Sequence, residues 1–103
     1  NANPASMTAA LLALSATTAS RRIAVLGVMA ELSDPEQDHL QISRLAKQLD
    51  IDLIAVDTDM YEVQSRTRDE VVAMLATVEN TAAILIKGSR VVQLEKLVSL
   101  LVG

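Results

Sequence analysis

Ile23-Ala24-Val25-Leu26-Gly27 is the stretch whose reading decides the fold. Four apolar residues in an unbroken run leave no polar face, so the segment fits a strand covered on both sides, as in a parallel sheet. Leu53-Ile54-Ala55-Val56 and Ala83-Ile84-Leu85-Ile86 repeat the pattern further along the chain. Helical periodicity fills the spaces between these runs. Asn3-Pro4 starts the first helix, because Asn caps and Pro suits the first turn. Met7, Leu11 and Leu14, with Ala10, then share one face, and the helix is expected to end near Ser20. Asp34-Pro35-Glu36 opens a second helix with Ile42, Leu45, Ala46 and Leu49 inward. Thr67-Arg68-Asp69-Glu70 is a capping box, and Val71, Val72, Leu75 and Val78 form the inner face that follows it. Val91, Leu94, Leu97, Val98 and Leu101 line a last helix, and Tyr61 to Gln64 suggests a short extra strand.

The order is therefore α-β-α-β-(β)-α-β-α. Parallel neighbours need crossovers, which the helices supply. The simplest arrangement puts the first strand centrally, its successor on one side and the last strand on the other. This predicts a single domain over residues 1–103 of Rossmann-like, three-layer α/β architecture. Its mostly parallel sheet of about four strands is flanked by helices. In open α/β sheets ligands bind beyond the carboxyl ends of the strands, where the winding reverses. Here that edge is made by Gly27 to Ser33 and Lys87 to Arg90.

Composition narrows the function. Half of the 103 residues are hydrophobic, nearly all Ala, Val, Leu and Ile, and Tyr61 is the sole aromatic residue. Aromatic platforms for base stacking are therefore lacking. The net charge is −4, and the nine basic residues are scattered except for Arg21-Arg22. Both features argue against a nucleic-acid partner, which requires clustered cations. With no cysteine, disulfides, thiolate metal sites and Cys nucleophiles are excluded, and a reducing compartment fits. Met7 to Ala19 is apolar and Ala-rich, but no base precedes it, unlike a signal peptide. No run reaches the ~18 apolar residues of a membrane span. The chain opens on Asn1 rather than Met, as a fragment or processed product would.

Lys87-Gly88-Ser89-Arg90 is the most suggestive local cluster. It lies where a buried strand passes into a helix. Gly88 permits positive φ or close backbone approach. Ser89 can cap the helix, whose first amides favour anions, and Lys87 and Arg90 add positive charge. A carboxylate or phosphate is the natural ligand. The alternative is a Ser-capped helix with two solvated bases. The glycines of a Walker loop are missing before the lysine, and Gly27 is followed by no dinucleotide fingerprint. Gly27 could still bring backbone near a ligand. Glu31 reads as a surface carboxylate rather than a catalytic one. His39, the only histidine, has no companions for a metal site and reads as a solvated or packing residue. Asp57 and Asp59 follow a strand as a phospho-acceptor does, yet a receiver domain would want acids where this chain has Val28-Met29. No nucleophile–base–acid order, carboxylate pair or metal cluster emerges. The residues alone describe a binding module.

Three segments together resemble one family, the Mur ligases, in their MurF branch. Asn1-Ala2-Asn3-Pro4-Ala5-Ser6-Met7 is similar to that family's Asn-x-Asn-Pro-x-Ser-Met segment. Arg22 to Gly27 with Met29-x-Glu31-Leu32 resembles its strand and Gly-Asp-Met-x-Glu-Leu-Gly loop. Ile86-Lys87-Gly88-Ser89-Arg90, with Leu94-Glu95 beyond, resembles its closing Val-Lys-Gly-Ser-Arg segment. His39 falls where the family has a histidine.

The resemblance implies the C-terminal domain of a three-domain, ATP-dependent, cytoplasmic bacterial enzyme of peptidoglycan synthesis. Such an enzyme joins D-Ala-D-Ala to UDP-MurNAc-tripeptide through an acyl phosphate. It further implies that this domain closes over a central ATPase domain. ATP and Mg²⁺ would be held mainly by that domain, with none bound by this one alone. Asn1 and Asn3 would lie at the junction, near the nucleotide. Lys87, Gly88, Ser89 and Arg90 would face the dipeptide carboxylate or the transferred phosphoryl oxygens, with Glu31 opposite and His39 structural. Catalytic groups would be supplied from elsewhere. Three positions depart from the pattern: Val28 replaces the loop acid, Ser33 the loop glycine, and Asp57 the glycine after the second strand. The competing expectation is a stand-alone or degenerate, noncatalytic module that binds a small anion or a protein partner.

Overall fold

The computed structural model describes residues 2–89 and 91. Asn1, Arg90 and residues 92–103 lie outside the described residues, and with them the expected last helix and Leu94-Glu95. The elements run α1 (Pro4–Ser15), β1 (Arg22–Leu26), α2 (Pro35–Gln48), β2 (Asp52–Val56), β3 (Ser65–Arg66), α3 (Arg68–Ala76) and β4 (Ala83–Lys87). Among these residues the sheet has four strands in the order β3-β2-β1-β4, every pair parallel. Ile23 stands level with Asp52 on one side and Ile84 on the other, so β1 is central as expected.

Alternation along β1 explains its unbroken apolar run. Ala24 and Leu26 face one layer with Met7, Leu11 and Leu14 of α1 and Ile42 and Ala46 of α2. Ile23 and Val25 face the other with Val71 and Leu75 of α3 and Val91. β2 and β4 divide in the same way: Leu53, Ala55, Ala83 and Leu85 on the first face, Ile54, Val56, Ile84 and Ile86 on the second. Full burial of each Val, Leu, Ile or Met among them stabilises the fold by about 1.5–3 kcal/mol, and less for the alanines and half-buried side chains. Helices on both faces make the three-layer α/β arrangement.

Two boundaries differ from expectation. α1 stops at Ser15 rather than near Ser20. The Ser15 and Thr17 hydroxyls donate to the Leu12 and Ala13 carbonyls, and the Arg22 guanidinium donates twice to the Thr17 carbonyl, at 2.9 and 2.6 Å. Such side-chain bonds compete with helix continuation. The short strand lies at Ser65–Arg66, beside Ala55 and Val56, not at Tyr61 to Gln64. Tyr61 is drawn fully into the core, and Glu62 turns the chain at φ 57°, which ends any extended run there.

Candidate functional site

The carboxyl ends of β1, β2 and β4 lead into one edge, and the loops there are built from the backbone outward. The Gly27 amide donates to the Lys87 carbonyl at 2.9 Å, and the Ser89 amide donates to the Val28 carbonyl at 3.0 Å. The loops after β1 and β4 are thus stitched together where the winding reverses. The glycines permit this approach. A Cβ on Gly27 would stand 2.4 Å from the Ser89 carbonyl oxygen. Gly88 has φ 122°, and a Cβ there would stand 2.6 Å from the Gly27 nitrogen. The backbone that Gly27 admits is therefore that of Gly88-Ser89, not a ligand.

Beyond this stitch an open cleft of about 410 Å³ is lined by Ala2, Asn3, Ala30, Glu31, Leu32 and Ser89. Three expected site residues, Asn3, Glu31 and Ser89, meet here from distant parts of the sequence. Asn3 is also the N-cap of α1. Its Oδ1 accepts from the Ser6 amide at 2.9 Å, and its own amide donates to Ser6 Oγ at 3.1 Å. The cap commits the Asn3 carbonyl oxygen to the helix. Glu31 is exposed and held at φ 58°, left-handed backbone that a non-glycine residue adopts at a cost. Lys87 closes β4 half-buried and stands outside the cleft lining; it makes no ion pair with a described residue. Its place in the strand alternation puts it on the α1 and α2 side of the sheet. The expected roles of Asn1 and Arg90, and of Ser89 as a helix cap, involve residues outside those described.

His39 and Tyr61 form the floor of this edge. Both are fully buried, with ring centroids 4.9 Å apart at 68°. The Met29 amide donates to His39 Nε2 at 2.9 Å, so that nitrogen carries no proton. The proton lies on Nδ1, which donates to the Pro35 carbonyl at 2.5 Å. A neutral imidazole of fixed tautomer results, and its packing role is clear. The Tyr61 hydroxyl donates to the Gly27 carbonyl at 2.7 Å, and burial pushes its phenol well above the ordinary value. Reading the sequence missed Tyr61 as a site-building residue. The one available signal was a single aromatic residue in an otherwise aliphatic core.

Asp57 is exposed with φ 55°, left-handed backbone that suits glycine better than an L-residue. Asp59 lines a second, smaller pocket of about 300 Å³ with Glu36, Gln37, Leu40, Met60 and Glu62. That lining is acidic and has no base to hold a phosphoryl group. Among the described residues no group of three His, Cys, Asp or Glu side chains is placed to hold a metal ion. No helix among them is long and apolar enough to cross a membrane.

No family model and no curated protein matches the sequence. Among solved structures, the MurF ligase from Thermotoga maritima in complex with ADP is similar, with a TM-score of 0.73 and 22% identity. The likeness covers 98% of this chain and 26% of that one, so the chain spans about a quarter of the length of the enzyme it matches. At this identity the likeness is one of fold: the chain has the architecture of one α/β portion of a MurF ligase.

Proposed function

We propose that the chain is the C-terminal substrate-binding and closure domain of a MurF-type, ATP-dependent amide ligase. One observation carries this reading. The three segments that resemble the family's motifs are far apart in sequence, yet residues from each line a single cleft: Ala2 and Asn3, Glu31 and Leu32, and Ser89. The fold likeness to a MurF ligase supports it further.

In this reading the chain supplies half of an active site. UDP-MurNAc-tripeptide is activated as an acyl phosphate on the missing central domain, where ATP and Mg²⁺ are held. The amine of D-Ala-D-Ala attacks the acyl carbon, an amide bond forms, and phosphate leaves. Lys87, Ser89 and Arg90 provide donors for the dipeptide carboxylate or the phosphoryl oxygens, since charge-assisted bonds suit both. Gly88 lets that backbone lie close. Glu31 presents a carboxylate from the opposite rim, and Asn1 and Asn3 mark the junction nearest the nucleotide. Closure of the domain excludes water, which an acyl phosphate needs to survive. The setting is the cytoplasm, and the pathway is peptidoglycan precursor synthesis, with its consequences for cell shape and division.

The parent gene should encode a P-loop ATPase module ahead of Asn1; without one the ligase reading fails. The full-length protein should release phosphate from ATP only when both UDP-MurNAc-tripeptide and D-Ala-D-Ala are supplied. One observation favours a second reading, a noncatalytic homologue: Val28 stands where the resembled family has an acid. Absence of dipeptide-dependent phosphate release from the folded full-length protein would select it.

A further inference from the structure

We propose that Tyr61 and His39 are positioning residues that set the conformation of the loop from Gly27 to Leu32, and through it the placement of Glu31 at the cleft. Three consecutive residues of this loop are each tied to a distant segment of the chain. The Gly27 carbonyl accepts from the Tyr61 hydroxyl at 2.7 Å, the Val28 carbonyl accepts from the Ser89 amide at 3.0 Å, and the Met29 amide donates to His39 Nε2 at 2.9 Å. Two of these partners are side chains from elsewhere in the chain, Tyr61 after β2 and His39 on α2, and both are 0% exposed. The next two residues, Ala30 and Glu31, are exposed and line the cleft. Glu31 holds a left-handed backbone, a conformation that persists only when its surroundings determine it.

The residue types follow from the chemistry of the bonds. A backbone carbonyl needs a donor, and the Tyr61 hydroxyl is one. A backbone amide needs an acceptor, and His39 provides one because its other nitrogen gives its proton to Pro35 at 2.5 Å. The rings meet edge to face, so displacement of either one disturbs the other. An aliphatic pair would fill the same volume and leave the Gly27 carbonyl and Met29 amide buried without partners. The consequence for catalysis rests on the ligase reading; the positioning itself does not.

Amide hydrogen exchange on the wild-type and Tyr61→Phe proteins tests the inference, because Phe keeps the ring and removes only the donor. The amide of Met29, which His39 holds, should exchange faster by roughly three- to tenfold, the equivalent of one net hydrogen bond, while those of β1 and β4 hold their wild-type rates. Unchanged loop exchange, or a uniform rise across the sheet, would overturn the proposal. His39→Gln, which retains an acceptor, should protect the Met29 amide better than His39→Ala does; equal loss in both would also count against it. In the full-length enzyme Tyr61→Phe should raise the KM for D-Ala-D-Ala more than it lowers kcat. If the wild-type enzyme releases no phosphate, the ligase reading fails, and the exchange result still decides the positioning.

Discussion

Gly27 and Gly88 owe their identity to each other. Each would place a Cβ against the partner loop's backbone, which moves less readily than the end of a flexible side chain. Gly27→Ala should therefore destabilise the protein by about 1–3 kcal/mol, the range for overpacking, as read from its urea midpoint. Wild-type stability would mean that the two loops part freely. Asp57 presents the opposite case, since its φ of 55° suits glycine better than an L-residue. Left-handed backbone costs about 1–2 kcal/mol, less for Asp, and the greater freedom of an unfolded glycine offsets about 0.4–1 kcal/mol of any relief. Asp57→Gly should fall between neutral and about 1 kcal/mol more stable by thermal unfolding; a loss would give the Asp57 side chain a role its geometry does not show. Arg90 belongs to the proposed anion site. In the full-length enzyme Arg90→Ala should raise the KM for the dipeptide or lower kcat, and an unchanged kcat/KM would remove it from the site.

Among the elements, α3 is the one whose start the sequence states most openly. Thr67 Oγ1 accepts from the Glu70 amide at 3.1 Å, and Glu70 Oε1 accepts from the Thr67 amide at 2.9 Å. Thr67→Ala should cost about 1 kcal/mol. The Thr67 backbone amide, then its hydroxyl, and finally the Arg66 charge hold the exposed Glu70 carboxyl below its ordinary value of 4.5. A carboxyl whose folded value is lowered supports the fold above its unfolded value, and that support drains away as pH falls through the folded one. The stability gap between wild type and Glu70→Gln should thus be constant near neutral pH and shrink below about pH 4.5. A gap that held steady through that range would exclude the carboxylate as the cap. By contrast α1 ends at Ser15 although apolar alanines continue beyond it, because the Ser15 and Thr17 hydroxyls claim its last carbonyls. Tyr61, a strand-forming residue by type, serves instead as a core anchor bonded to the loop after β1.

At the scale of the whole molecule, an unequal division of labour is proposed between this domain and the ATPase domain it would close upon. The 103-residue chain should fold and show no ATP binding by calorimetry, since the phosphate-binding loop of the reading lies elsewhere. Measurable binding would relocate the nucleotide site to this domain. The two apolar layers on either side of β1 make such independent folding reasonable, because each is drawn from both helices and strands.

Unbroken aliphatic runs, Asn and Asp caps before proline, and a Thr–Glu box determined the layers, the element order and the central place of β1. These signals are local, and each states its own structure within a turn or two of chain. Which distant residues share the cleft, how Gly27 meets Gly88, and why the lone histidine and lone tyrosine are buried together were decided only in three dimensions. Those facts depend on hydrogen bonds and close approaches between segments far apart in sequence, and no periodicity encodes the partner of a backbone carbonyl.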